Sequence, residues 1–173
     1  AGVQAVKVEG GVRSARVIES LVKAGIPVMG HIGLTPQSAN AIGKFRVQGK
    51  TGEQARAVLH DALAVQQAGA FSVVLELVPE QLAAAITERL RIPTIGIGAG
   101  PSCSGQVQII NHILGTDTWQ PKHAKLYANL HDTILEAART YAADVAAGTF
   151  PGPEQTVRMD DAVLNEVLGK SAQ

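Results

Sequence analysis

Short apolar runs alternate along this chain with longer stretches whose apolar residues recur at helical spacing. We predict strands over residues 3–9, 27–31, 71–76 and 93–97, and helices over residues 12–23, 52–67 and 79–90. An Ala-Gly pair precedes three of the strands, at positions 1–2, 24–25 and 68–69, where a helix would end on a glycine. This alternation is typical of an α/β fold with a parallel sheet.

Polar side chains occur near the C-terminal ends of three predicted strands that are otherwise largely apolar. They are Lys7, Glu9, His31 and Glu76. Parallel strands that are covered on both faces are apolar along most of their length, so these residues stand out. Ligands bind at the C-terminal rim both in barrels and in open parallel sheets. We therefore predict the functional site at this rim.

Charge balance and cysteine content argue against several classes of partner. The chain has 173 residues, with 15 Lys and Arg against 15 Asp and Glu, so no field of one sign attracts nucleic acid or an anionic membrane. The single Cys103 cannot form a disulfide within the chain. No apolar run reaches about 18 residues, the length that a membrane span requires. We expect a cytoplasmic protein that acts on small molecules.

The periodicity weakens after the fourth predicted strand. Residues 116–120 are a candidate last strand, and a helix over about residues 129–147 carries an apolar stripe that we expect to pack on the domain. Residues 148–153 break this helix, and a weak helix follows over about residues 161–168.

The chain has no sign of a second domain or of a low-complexity segment. We interpret residues 1–150 as part of one domain and residues 151–173 as a C-terminal tail. The sequence begins without methionine and enters its first predicted strand almost immediately. We interpret it as a fragment of a longer protein.

Each rim residue has a structural as well as a functional interpretation. Lys7 and Glu9 point to the same strand face, where they either neutralise each other or bind a substrate anion and a divalent metal, respectively. His31 is a single histidine, and such residues are more often structural than catalytic. Glu76 either faces the N-terminus of the next helix or acts as a general base. The residues alone leave these alternatives open.

The remaining candidates for chemistry are weaker. Residues 95–101 read IGIGAGP, but a glycine run without a following acidic residue is weak support for a phosphate site. Tight packing or close approach to a ligand explains the run as well. We interpret His112 and His131 as helix-surface residues, and Cys103 has no obvious activating partner.

Five blocks of sequence resemble the ketopantoate hydroxymethyltransferase family. They occur in that family's order and spacing, up to about residue 151: KVEGG at 7–11, GHIGLTPQ at 30–37, VQGK at 47–50, LE and VP within 75–79, and IGIGAG at 95–100. The resemblance implies a (β/α)8 TIM-type barrel. This chain would be truncated to about its fourth to eighth strands, followed by a C-terminal helix and tail.

The same resemblance implies roles for the rim residues. Glu9 would be a Mg²⁺ ligand, and Lys7 would bind the carboxylate of a 2-oxo acid. His31 would line the same pocket, and Glu76 would be the proton acceptor. The family's other two metal ligands are aspartates on the strands that this chain lacks. The resemblance therefore implies that the isolated chain is inactive.

The implied reaction belongs to pantothenate biosynthesis. It transfers a hydroxymethyl group from 5,10-methylenetetrahydrofolate to 3-methyl-2-oxobutanoate through a Mg²⁺-stabilised enolate, and it forms 2-dehydropantoate, also called ketopantoate. The family also implies a large homo-oligomer. Neither nucleic acid nor a membrane is an expected partner.

The sequence departs from the family pattern at three places. Ser104 replaces a frequent Asp, Asn111 and His112 stand where His-Asp is usual, and His123 replaces an aromatic residue. Two other hypotheses stay open. One is a different Mg²⁺-dependent barrel, a lyase or mutase of 2-oxo acids that does not bind folate. The other is an inactive truncated chain that serves as a scaffold or subunit.

Overall fold

In the computed structural model, which describes residues 2–38 and 45–169, the strands form one parallel sheet. The described strands are β1 (Val6–Glu9), β2 (Val28–Gly33), β3 (Ser72–Glu76), β4 (Thr94–Ile97) and β5 (Gly105–Gln106). Each strand pairs in parallel with the next one along the chain. The predicted α/β class and the parallel sheet are confirmed.

Helices connect the first four strands, as predicted. They are α1 (Ala15–Lys23), α2 (Gly52–Gln67) and α3 (Glu80–Arg89). Within the described part of the chain, three more helices follow the sheet: α4 (Ile110–Leu114), α5 (Leu130–Ala147) and α6 (Asp161–Val167). Single 3₁₀ turns lie at Val12–Ser14, Pro36–Ser38 and Pro153–Gln155. Across the described part of the chain, no helix combines the length and the apolar character that crossing a membrane would require.

Two of the Ala-Gly pairs end helices, as the sequence predicts. Gly25 and Gly69 have φ values of 82° and 92°, a left-handed conformation that glycine adopts without strain. The Gly69 N–H donates to the carbonyl of Gln66 at 3.0 Å and closes the end of α2. Ala1 of the first pair, and residues 170–173 of the predicted tail, lie outside the described residues.

Helices α1, α2 and α3 pack on one face of the sheet. The buried cluster on this face includes Val28, Ile32, Val73 and Leu75 from the strands and Ile18, Val65 and Ile86 from the helices. Burial of one such side chain contributes roughly 1.5–3 kcal/mol, so this face stabilises the fold. The alternate residues of each strand point to the opposite face.

The prediction of a last strand over residues 116–120 is wrong. Among the described residues, the sheet ends instead with β5 at Gly105–Gln106. Residues 116–120 form a loop, in which the Gln120 amide donates to the carbonyls of His112 at 3.4 Å and Ala124 at 3.2 Å. A two-residue strand of glycine and glutamine has no apolar run, so hydrophobic patterning could not reveal it.

Helix α5 has the predicted extent, but its apolar side chains do not pack on the sheet domain. Ile134 and Tyr141 are each 58% exposed, and Leu135 is 38% exposed. The Tyr141 ring packs edge-on against Phe150, with ring centroids 5.4 Å apart. The prediction that this helix packs on the domain is therefore wrong for the described residues. The helical period of the apolar residues predicts the helix and its apolar face. It does not predict which surface packs on that face.

The close approach of α2 to β2 depends on Gly30, because a Cβ at this position would overlap Cγ1 of Val65. We predict that Gly30→Ala lowers the free energy of unfolding by about 1–3 kcal/mol through overpacking. Urea denaturation measures the change. Gly52→Ala is the matched control, since a Cβ there would lie 3.4 Å from the Arg56 guanidinium, an ordinary contact. Equal stability of the two variants would contradict the prediction.

Candidate active site

The sheet face opposite helices α1 to α3 brings three of the predicted rim residues together. Glu9 lies opposite His31 in the pairing of β1 with β2, and His31 lies opposite Val74 in the pairing of β2 with β3. Glu76 is two residues beyond Val74, so its side chain points to the same face. Strand register alone therefore juxtaposes Glu9, His31 and Glu76, which we call the rim cluster.

His31 lies between the two carboxylates of the rim cluster. Its Nδ1 is 3.4 Å from Glu9 Oε1, and its Nε2 is 3.1 Å from Glu76 Oε2. These are ion-pair distances whose geometry is not that of well-directed hydrogen bonds. The side chains of His31, Glu9 and Glu76 are only 2%, 7% and 16% exposed. Because acidic residues are rarely buried unless they are paired, the contacts with His31 account for the low exposure of both carboxylates.

The loop after β2 holds both acidic residues of the rim cluster. The Gln37 N–H donates to Glu9 Oε2 at 2.9 Å, and the Leu34 N–H donates to the Glu76 carbonyl at 2.8 Å. On the other side, Ser14 Oγ donates to the Glu9 carbonyl at 2.8 Å. The GHIGLTPQ block of the sequence therefore supplies both the central histidine and the backbone that orients its neighbours.

An ion pair between Lys7 and Glu9, one of the structural alternatives, is not found among the described residues. Lys7 is exposed and forms no ion pair with Glu9, whose carboxylate contacts His31 instead. The N-terminus of α3 has no side-chain cap, and Glu76 also contacts His31. The structure thus brings three of the four predicted rim residues into contact and leaves Lys7 at the edge of the same strand face.

A complete metal site is not formed by the part of the chain that the structure describes. No three His, Cys, Asp or Glu side chains there are grouped so that they could hold an ion. Mg²⁺ in proteins is held by one or two carboxylates together with water and substrate oxygens. The Glu9 carboxylate, a hard oxygen donor with a fixed orientation, fits one position of such a site.

Two adjoining cavities lie near the rim cluster, and Glu76 lines one of them. The inner cavity, of about 450 Å³, has Glu76 in its wall together with Phe45 and Trp119. The outer cavity, of about 670 Å³, is lined by Gly98, Gly100, Pro101, Gln106 and Gln108 and by residues common to both cavities. The common residues are Val47, Leu77, Lys122 and His123. Sequence reasoning missed most of these residues, because they lie in loops that follow neither the strand nor the helix period.

Leu77, directly after Glu76, has a strained backbone. Its φ of 49° lies in the left-handed region, which costs a residue with a side chain about 1–3 kcal/mol. The strain is held by two backbone contacts: the Leu77 N–H donates to the Ile97 carbonyl at 2.9 Å, and its carbonyl accepts from the Gln48 N–H at 2.8 Å. Such strain often occurs at functional sites, and no pattern in the sequence marks it.

Two of the departures from the family pattern lie in different surroundings. The Ser104 N–H donates to Thr94 Oγ1 at 3.1 Å, and Ser104 Oγ accepts from the Thr94 N–H at 3.2 Å. Ser104, the residue directly before β5, is therefore bonded to Thr94 at the start of β4, and its role is structural. His123 lies in the wall between the two cavities.

The interpretation of His112 and His131 as helix-surface residues is only partly correct, because both residues are half-buried on their helices. His112 is half-buried on α4, and its ring meets Trp119 edge-on at 5.9 Å between centroids. His131 is 37% exposed, and its Nδ1 lies 3.0 Å from Asp132 Oδ1. This contact is the main cause that holds the pKa of Asp132 below its usual value.

The family model and the similar proteins that match this chain all belong to the same family. A family model described as ketopantoate hydroxymethyltransferase matches residues 1–153. The 3-methyl-2-oxobutanoate hydroxymethyltransferase of Chloroflexus aurantiacus is 62% identical over 174 residues, which cover 100% of this chain and 62% of that protein.

Relatives from other organisms carry the same name. The protein of Heliobacterium modesticaldum is 57% identical over 161 residues, which cover 92% of this chain and 58% of the relative. The protein of Dehalococcoides mccartyi is 52% identical over 167 residues, which cover 96% of this chain and 60% of the relative. The chain thus spans about three fifths of the length of the curated relatives that it matches.

Gly33 allows the loop after β2 to approach Glu76, because a Cβ there would overlap the Glu76 carbonyl oxygen. Its φ is 86°. We predict that Gly33→Ala displaces Glu76 from His31 and lowers the free energy of unfolding by about 2–5 kcal/mol, the sum of backbone strain and overlap. Urea denaturation measures the loss.

Gly25→Ala is the matched control for this prediction. Gly25 has a similar φ of 82°, and nothing lies within 4 Å of a Cβ built on it. Its substitution therefore costs only the strain of a left-handed backbone, roughly 1–2 kcal/mol. If Gly33→Ala cost no more than Gly25→Ala, the close approach to Glu76 would be refuted.

Proposed function

Since this chain belongs to the ketopantoate hydroxymethyltransferase family, we propose that the complete protein transfers a hydroxymethyl group to 3-methyl-2-oxobutanoate. The donor is 5,10-methylenetetrahydrofolate. C3 of the acceptor loses a proton and forms a carbon–carbon bond to the one-carbon unit. The bonds from this unit to the donor nitrogens break, water supplies the hydroxyl group, and the products are 2-dehydropantoate and tetrahydrofolate.

The single observation that carries the proposal is the rim cluster of Glu9, His31 and Glu76. Removal of a proton next to a keto group requires a base and a means of stabilising the negative charge that develops on oxygen. The cluster places two largely buried carboxylates on either side of His31, so that one can act as base and the other can hold a cation. A lyase or mutase of 2-oxo acids has the same need, but family membership favours the transferase.

We propose that the complete protein folds as a (β/α)8 barrel that contains these five strands. The strand order supports this, because each described strand neighbours the next and the order does not reverse as in an open doubly wound sheet. Helices α1 to α3 cover one face, and the rim cluster lies on the other. Strand β1 has a neighbour on one side only among the described strands, so further strands can extend the sheet from that edge.

Glu76 is the proposed base that removes the proton from C3. Its carboxylate forms part of the inner cavity wall, where a substrate can reach it, and the contact with His31 Nε2 at 3.1 Å fixes its orientation. General base catalysis by a side chain held in this way contributes typically about 10²- to 10⁴-fold to the rate.

His31 is the proposed positioning residue. It touches Glu9 and Glu76 at its two ring nitrogens and so holds the base at a fixed distance from the other carboxylate. His31 belongs to the substrate pocket in this proposal, in agreement with the role that the family resemblance implies.

Lys7 is the proposed ligand of the substrate carboxylate. It lies two residues before Glu9 on the same strand face, and its exposed ammonium group is accessible at the rim. A lysine ammonium is a compact charge with three donors, which suits a carboxylate. This role requires the bound 2-oxo acid to extend from the Lys7 ammonium group to the Glu76 carboxylate.

Glu9 is the proposed ligand of Mg²⁺, with the remaining protein ligands outside this chain. When bound, Mg²⁺ supplies Lewis acid chemistry at the keto oxygen of the 2-oxo acid. The Gln37 N–H fixes the Glu9 carboxylate. Because the described residues offer no complete set of metal ligands, we propose that the isolated chain is inactive.

The remaining expectations depend on family membership and composition. They are the large homo-oligomer, the cytoplasmic location, and the lack of nucleic-acid or membrane partners. All of them stay predictions.

We predict that Glu76→Gln in the complete protein lowers the rate of C3 proton exchange of 3-methyl-2-oxobutanoate by about 10²- to 10⁴-fold, because an amide cannot accept the proton. The affinity for the 2-oxo acid is expected to be retained. Deuterium incorporation in D₂O, followed by NMR with Mg²⁺ present, measures the rate. Glu88→Gln removes an exposed carboxylate of α3 and is the control. Exchange at the wild-type rate in Glu76→Gln would refute the assignment.

A further inference from the structure

The turn that follows β1 carries an arginine whose side chain reaches across to the loop after β2. Arg13 lies in the 3₁₀ turn Val12–Ser14, four residues after Glu9. Its Nη2 donates to Ser38 Oγ at 2.8 Å and to Thr35 Oγ1 at 3.4 Å. Both acceptors belong to the loop after β2, so Arg13 connects the loops that follow the first two strands.

The 3₁₀ turn in the loop after β2 is the part of the structure that orients the Glu9 carboxylate. It contains Gln37, whose N–H donates to Glu9 Oε2 at 2.9 Å. The Ser38 N–H donates to the Thr35 carbonyl at 2.9 Å and closes this turn. Because Arg13 bonds to the side chains of both Thr35 and Ser38, it holds the turn on either side of the donor.

Two glycines directly after β1 allow this connection. Gly10 has a φ of 111°, and a Cβ there would lie 2.7 Å from Arg13 Nε, so the arginine side chain passes closely over the glycine backbone. A Cβ at Gly11 would overlap the Asp61 carboxylate, whose Oδ1 accepts from the Val12 N–H at 2.8 Å. Helix α2 therefore anchors the turn that carries the arginine, and the KVEGG block supplies the space for both contacts.

Arg13 lies apart from the cavity that contains Glu76. It lines a third cavity, of about 430 Å³, together with Gly10, Thr35 and Asp61. Among the described residues, no member of the rim cluster lines this third cavity, and Arg13 lines neither the inner nor the outer cavity. An influence of Arg13 on the site therefore passes through the turn that it holds.

We propose that Arg13 is a positioning residue for Glu9. Its guanidinium clamps the turn that presents the Gln37 N–H, and this donor fixes the Glu9 carboxylate with Oε2 on Gln37 and Oε1 towards His31. Groups that orient a ligating carboxylate from outside the coordination sphere tune the affinity of the ion. The inference rests on the proposed function, in which Glu9 is a ligand of Mg²⁺, and deepens it by naming a residue that acts on that ligand from a distance.

Hydrogen–deuterium exchange of the complete protein tests the clamp without any metal. We expect Arg13→Ala to speed up amide exchange in a peptide that contains residues 34–38 by about tenfold, the change that corresponds to loss of one charge-assisted hydrogen bond. Arg13→Lys retains most of the protection, because an ammonium group can still donate to Ser38 Oγ. Arg16→Ala removes an exposed arginine of α1 and is the matched control. Unchanged exchange in folded Arg13→Ala protein would overturn the proposal.

Calorimetric titration with Mg²⁺, with 3-methyl-2-oxobutanoate present, measures the effect of the clamp on Glu9. We expect Arg13→Ala and Ser38→Ala each to weaken Mg²⁺ binding by about tenfold, the low end of the range for partners outside the coordination sphere. The double variant is expected to lose no more than either single variant, because both substitutions break the same contact. Arg16→Ala is expected to keep the wild-type affinity, and thermal unfolding verifies that each variant folds.

Glu9→Gln separates failure of this inference from failure of the proposed function. If Mg²⁺ binding is weakened by Glu9→Gln but not by Arg13→Ala, the inference is overturned and the proposed metal role of Glu9 stands. Mg²⁺ binding that is unchanged in Glu9→Gln would overturn that metal role, and the role of Arg13 with it. Losses that simply add in the double variant of Arg13 and Ser38 would also overturn the inference, since they would show two independent structural effects.

Discussion

The contact of His31 with Glu9 and Glu76 is the interaction on which the candidate site depends. It joins three neighbouring strands at 3.4 and 3.1 Å and keeps two largely buried carboxylates paired. Removing one partner from such a buried group leaves an uncompensated charge, which is strongly destabilising. The contact also requires the correct strand register, because a slip of one residue would turn these side chains to the helix-covered face. Packing of α1 to α3 on that face therefore holds the site together.

Division of the sheet into two unlike faces explains how this chain can carry part of an active site. One face is apolar and covered by helices, whereas the other carries the rim cluster and the exposed Lys7. In the proposed barrel the second face is the interior. Under the proposed function, the chain provides the proposed base, its positioning histidine and one proposed metal ligand, and the rest of the complete protein provides the other ligands. Such a division agrees with a chain that spans about three fifths of its relatives.

Much of the fold and the centre of the site could be predicted from the sequence. Strand and helix periods are local properties, so helix α2 was predicted at its observed bounds, Gly52–Gln67. The polar residues at the strand ends could also be recognised, because they interrupt runs of apolar residues in the sequence. Strand β5 and the cavity walls could not be predicted, because they are defined by contacts between distant loops. The left-handed Leu77 and the uncovered face of α5 likewise depend on tertiary surroundings that no local pattern encodes.

The most direct test of the account compares C3 deuterium exchange of 3-methyl-2-oxobutanoate by this 173-residue chain and by the complete protein, with and without Mg²⁺ and without folate. We expect exchange only by the complete protein and only with Mg²⁺, because the rim cluster supplies the proposed base but not the full set of metal ligands. Exchange by neither protein, or exchange that is equally fast without the metal, would contradict it.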